Sequence, residues 1–222
     1  MSNDMITVKI DGKEHVFETK ELPELFLQWQ SEARMGMFKV LREKGAKAVK
    51  MQPAHLPMLA TIGSGEFPMN LATRGIGLLP IDEKIEAITG KLEEVRESTK
   101  NLPLPESLPS RVRAIGDFYA NPGWINRKLL GGLEIFEGTT AKNIKCNPMV
   151  SLLFTGQAPK YPSFQFNGIM EIVKPGNKYY QFLLAARELF AMDAFHIHQI
   201  RYPFGYLFHL VEIKDKTPYP KR

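Results

Sequence analysis

Residues Gly138-Thr139-Thr140-Ala141-Lys142-Asn143 gather two hydroxyls, an ammonium and an amide within six positions. They follow the short apolar run Leu133-Glu134-Ile135-Phe136. They precede Ile144-Lys145-Cys146-Asn147-Pro148 and the apolar Met149-Val150-Ser151-Leu152-Leu153-Phe154. This order reads as a strand, a Gly-Thr-Thr turn, a short helix over 141–146 stopped by Asn147-Pro148, and a second strand. A helix start exposes unpaired backbone N–H groups and the positive end of the helix dipole. Hydroxyls and an ammonium at the same point suit a phosphate monoester, which is anionic and rich in acceptors. Taken alone, the stretch reads equally well as a helix capped by Thr139 or Thr140, with Lys142 in solvent.

Other chemistry-bearing residues form less complete sets. His196 and His198 alternate by two, which puts both rings on one face of a strand, and His209 follows on the next one. Such spacing can bind zinc or iron, but no cysteine or acidic cluster completes a ligand set, and no metal site is assigned. No Gly-x-Ser-x-Gly elbow exists, and Gly63-Ser64-Gly65 reads as a hairpin turn. Gly75-Ile76-Gly77 and Gly131-Gly132 lack the strand-to-helix context of a dinucleotide fingerprint. Cys146 is the single cysteine, so an intrachain disulfide and a thiolate zinc cage are both excluded. Lys145 beside it favours the thiolate, yet buried packing is the expected state of this side chain.

The elements that must position these residues are legible from periodicity. The 222 residues are 44% hydrophobic, enough for one core with a sizeable appendage. A hairpin is expected over 5–18 around Asp11-Gly12, then a helix over 22–44. A second hairpin spans 56–74, and a charged helix carries Ile81, Ile85, Ile88, Leu92 and Val95. Three prolines within 103–109 and their neighbours read as a linker, followed by a strand over 111–119. Strands over 149–155 and 163–173, a helix over 178–192, and strands near 195–202 and 205–214 close the chain. Many short strands with few helices predict a mainly β protein with flanking helices, an α+β barrel without free edges. Residues 1–55 are read as an N-terminal extension and 56–222 as the barrel domain, with a helical insertion at about 80–109.

Net charge is +5, but the cations are interleaved with acids, as in Lys91-Leu92-Glu93-Glu94-Val95-Arg96-Glu97. That is a solvated helix face, so a nucleic-acid partner is not expected. No run approaches the ~20 apolar residues of a membrane span. Residues 1–13 lack a signal-peptide pattern, and a cytoplasmic location is expected.

Lys142-Asn143-Ile144-Lys145-Cys146-Asn147-Pro148, then Val150-Ser151-Leu152, then Asn167-Gly168-Ile169-Met170-Glu171-Ile172-Val173 form an ordered series. This series resembles the FMN-binding split barrels, the pyridoxamine 5′-phosphate oxidase-like superfamily, over roughly residues 109–214. The resemblance implies an antiparallel Greek-key split barrel and a homodimer with FMN at the subunit interface. It also implies an oxidoreductase acting on a small-molecule substrate. Lys142, Thr139, Thr140 and Asn143 would surround the phosphate. Family members place a basic strand residue there too; Arg111 and Arg113 would share a strand face, and Arg74 is the competing choice. No catalytic acid or base is assigned. A deazaflavin, or a non-catalytic flavin- or haem-binding role, is the alternative. The C-terminal Thr217-Pro218-Tyr219-Pro220-Lys221-Arg222 departs from the substrate-gripping tail of pyridoxamine phosphate oxidase proper.

Overall fold

Alternating apolar and polar residues build nine strands, and 3.6-residue periodicity builds five helices, among the residues described by the computed structural model: 5–45, 48, 53–157, 160–190, 199 and 201–219. In chain order these are β1 (Met5–Ile10), β2 (Lys13–Glu18), α1 (Glu24–Lys44), β3 (Met58–Ile62), β4 (Met69–Thr73) and β5 (Gly77–Pro80). There follow α2 (Asp82–Thr99), α3 (Leu104–Tyr119), β6 (Ile125–Leu133), α4 (Thr139–Cys146), β7 (Met149–Thr155), β8 (Ser163–Val173), α5 (Lys178–Glu188) and β9 (Gly205–Asp215). The expected β1–β2 hairpin forms, with Asp11 and Gly12 both at positive φ as its two-residue turn requires. It makes a separate two-stranded sheet.

The other seven strands form one antiparallel sheet in the order β4-β3-β7-β8-β9-β6-β5. β4 and β5 are consecutive in the chain yet lie at opposite edges. At roughly 3.6 Å per residue, the link from Thr73 to Gly77 spans at most about 14 Å. The sheet must therefore curl until its edges approach at that end, although no β4–β5 ladder closes it. Between Asn167 and Gly168 of β8 the register shifts past Val211, an extra residue that lets β9 bend. Only glycine fits there, because a Cβ on Gly168 would lie 2.1 Å from the His209 carbonyl oxygen.

The core joins sheet and helices. Phe26 of α1 is fully buried and meets the rings of Phe154, Phe164 and Phe166 edge-on. Burying each such ring contributes about 1.5–3 kcal/mol. α2 packs on α3 and α5, and α1 packs on α3, so these four helices form one layer, while α4 packs on β3 and β4.

Two expectations fail in the same segment. The proline-rich stretch is no linker and 111–119 is no strand; both belong to α3. Pro105 lies in the first helical turn, where its missing N–H costs nothing. Pro109 lies inside the helix and removes one hydrogen bond. The helix survives because Leu108, Val112, Ile115 and Tyr119 bury one face at 3.6-residue spacing. β5, absent from the sequence reading, is too short for alternation to register. Of the strand expected over 133–136 only Leu133 is extended in the sheet, as the last residue of β6 from Ile125; residues 134–136 already turn away.

Candidate functional site: the start of α4 against the β3–β4 hairpin

The Gly-Thr-Thr segment starts α4 as expected, two residues earlier than the sequence reading placed it. Gly138 is the N-cap, and no side chain caps the helix, so neither threonine fills the bland capping role. Ala141 and Ile144 anchor α4 in the core. Asn147 ends it by accepting from the Met149 N–H at 3.0 Å, which turns the chain into β7. The first intrahelical bond is Lys142 N–H to the Gly138 carbonyl. The N–H groups of Thr139, Thr140 and Ala141 therefore lie outside the helical ladder. No acidic residue occupies the first turn. Glu137, just before it, is held by Lys145 at 2.7 Å.

The predicted residues divide by burial. Thr139 and Lys142 are exposed, whereas Thr140 and Asn143 are buried. The buried pair meets two residues that sequence reasoning missed. Asn70 of β4 donates to Thr140 Oγ1 at 3.1 Å and to Thr61 Oγ1 at 3.2 Å, and Asn143 donates to Thr61 Oγ1 at 3.1 Å. Gly63 is necessary beside this cluster, because a Cβ there would lie 2.4 Å from Asn143 Oδ1. The missed signal was the pairing of Thr61 with Asn70 across the hairpin, which puts both on the face toward α4.

Beyond the end of β4, Arg74 approaches the segment leading into α4. Its Nε lies 3.9 Å from Oε2 of Glu134, a carboxylate that is 1% exposed. Arg74 Nη1 donates to the Thr73 carbonyl, while Nε is buried without a hydrogen-bond partner. Glu134 Oε2 also accepts from the Tyr206 hydroxyl at 2.6 Å. Burial, and then the Glu134 carboxylate, push the Tyr206 pKa well above the ordinary phenol value, so that hydroxyl stays a donor.

Arg111 and Arg113 behave differently from expectation. A shared strand face was the reason to aim both at one phosphate; in α3, two residues apart, they point to different sides. Arg111 is 1% exposed and fully engaged: Nε to Thr99 Oγ1 at 3.0 Å, Nη2 to the Thr99 carbonyl at 3.2 Å, and Nη1 to the Leu189 carbonyl at 3.1 Å. It clasps α2, α3 and the residue after α5. Arg113 is exposed on the same helix.

The opposite face of the β3–β4 hairpin is apolar and open. Met58 and Ile62 of β3 and Met69 and Leu71 of β4 are all exposed there, with Phe67 at the tip 92% exposed. A cavity of about 460 Å³ adjoins this face, lined by Ala60, Ile62, Met69, Met149, Ile169 and, from the β1–β2 hairpin, Phe17. None of the six predicted residues lines it; Thr61 alone belongs to both the cavity wall and the polar cluster at α4.

Cys146 is exposed, not packed, because it falls on the solvent side at the end of α4. His196 and His198 lie outside the described residues. His209 meets Glu171 at 2.8 Å across β8 and β9. Among the described residues, no group of three His, Cys, Asp or Glu side chains is arranged to hold a metal. Nor is any helix among them long and apolar enough to cross a membrane.

No protein-family model matches the sequence, and no curated protein matches it. Solved structures do resemble it at low identity. An FMN-binding protein of Syntrophomonas wolfei is 6% identical, with 89% of this chain and 92% of that chain covered and a TM-score of 0.45. HutZ, the haem storage protein of Vibrio cholerae, is 10% identical, with 87% and 94% covered and a TM-score of 0.41. A pyridoxamine 5′-phosphate oxidase-like protein of Lactobacillus delbrueckii is 13% identical, with 87% and 93% covered and a TM-score of 0.40.

Proposed function

We propose that the chain is a split-barrel protein that binds FMN, and that the phosphate lies at the start of α4. The observation carrying this reading is the first turn of α4, where three N–H groups outside the helical ladder meet exposed Thr139 and Lys142 with no carboxylate in the turn. Thr140 and Asn143 hold α4 to the hairpin through Asn70 and Thr61, so their role is to fix the site as much as to touch the ligand. Of the three candidate arginines, Arg74 fits the anion site. Its buried Nε lacks an acceptor beside the segment that leads into α4, whereas Nε, Nη1 and Nη2 of Arg111 all donate to Thr99 and Leu189.

A bound flavin supplies hydride or electron transfer, and the protein fixes its place and surroundings. On this reading the chain is an oxidoreductase acting on a small molecule. No acid or base in the site argues for a particular substrate. The exposed Met58, Ile62, Met69 and Leu71 face supports a homodimer, since a contiguous apolar patch of this kind marks an interface. The curled seven-stranded sheet with β4 and β5 brought together by a short link supports the split-barrel description.

The test is an absorbance spectrum of the purified full chain before and after adding FMN, with Lys142→Ala and Thr139→Ala beside the wild type. Flavin bands that shift on binding, with affinity weakened about three- to tenfold in each variant, support the phosphate site. A chain that ignores FMN sinks the reading; a Soret band in the purified protein replaces it with haem.

A further inference from the structure

Resting on that reading, we infer that Glu134 is the positioning residue of the anion site: it folds the 134–138 turn so that the start of α4 and Arg74 are held at a fixed spacing along β4. A carboxylate that is 1% exposed survives burial only when its oxygens are well bonded. Those of Glu134 are bonded to the turn itself. Oε1 accepts from the Ile135 N–H at 3.0 Å and from the Phe136 N–H at 2.9 Å. Oε2 accepts from Tyr206 of β9, with the Arg74 guanidinium as its nearest cation. The Glu134 N–H donates to the Phe204 carbonyl at 3.0 Å, and the Gly138 N–H closes back on the Phe136 carbonyl at 2.7 Å.

These bonds explain why β6 stops at Leu133. The two amides that would continue the strand are turned onto the Glu134 side chain, and the chain is redirected into α4 four residues later. Two struts then join this segment to the β4 strand, Thr140 to Asn70 and Glu134 to Arg74. Glu134 touches no ligand in this scheme. It sets the geometry in which the helix start and a guanidinium can share one oxyanion.

The experiment compares Glu134→Ala and Glu134→Gln in the full chain, titrating FMN and riboflavin by quenching of flavin fluorescence. Amide hydrogen exchange is followed across 134–142 at the same time. Glu134→Ala is expected to lose about tenfold in FMN affinity while riboflavin stays within about twofold. Glu134→Gln keeps an oxygen for the two N–H groups and is expected to stay within about threefold of wild type. Equal loss of FMN and riboflavin, or a glutamine variant as weak as the alanine one, overturns the inference. Should Glu134→Ala fail to fold, Tyr206→Phe replaces it and is expected to lose about threefold for FMN only; equal loss for both flavins again overturns it. If the wild type binds neither flavin, the flavin reading falls and the exchange data decide. Faster exchange confined to 135–142 in the alanine variant sustains the positioning role, and unchanged exchange refutes it.

Discussion

Arg111 and Arg74 carry the same guanidinium in opposite settings. Arg111 sits in the helical layer with three bonds to Thr99 and the Leu189 carbonyl, all within 3.2 Å. Arg74 sits at the end of β4 with a carboxylate at 3.9 Å and a buried Nε that no acceptor meets. A buried donor without an acceptor costs about 1–3 kcal/mol, so an arrangement that keeps one invites a ligand to fill it. A saturated guanidinium is a clasp. The difference separates a residue that holds the fold from one placed to hold something else, and residue type alone does not carry it.

The comparison breaks most readily at Arg111. Arg111→Ala removes a filled core position and strands two carbonyls, and should cost about 3 kcal/mol or more. Urea denaturation measures this, and FMN affinity of the folded fraction should not change. A variant as stable as wild type would mean the clasp is dispensable. Arg74→Ala should do the reverse: FMN affinity falls about tenfold, while stability shifts by roughly 1 kcal/mol or less. Titration with FMN and with riboflavin sharpens the contrast, since only the phosphorylated ligand should be affected.

The smallest effect concerns a second clasp in the helical layer, where Asp82 at the start of α2 accepts from the Tyr179 hydroxyl and pairs with Lys178 at 3.0 Å. The Tyr179 bond, followed by Lys178, holds the Asp82 carboxyl below the ordinary carboxylate range. A carboxyl depressed in the folded state adds stability that is fully present above its unfolded pKa, about 3.9, and is lost as pH falls through the lower folded value. Tyr179→Phe should therefore lower the melting temperature slightly at neutral pH, with the difference from wild type vanishing as pH falls below about 4. An identical acid profile would remove Asp82 from the account.

Most of the sheet and the start of α4 were legible because their signals are local. Asp11-Gly12 forces a hairpin, and Asn147-Pro148 stops a helix. The error over 102–119 arises because three prolines read as breakers, although Pro105 sits where a helix tolerates it. The helical signal of the stretch is the apolar spacing 108, 112, 115, 119. That error carried Arg111 and Arg113 into the site. Asn70 and Thr61 were invisible for another reason: a neutral amide and a hydroxyl matter only once a hairpin register brings them to a helix 70 and 82 residues away. The unsatisfied Nε of Arg74 is a three-dimensional fact that no spacing encodes.

The three-residue link between β4 and β5 acts like the spring end of a clothes-peg. It pins the two sheet edges within about 14 Å at one end and leaves the far end of β4, toward the 63–68 tip, without such a tether. Any relative motion of the two edges is therefore hinged at the link, small beside Arg74 and larger toward Phe67.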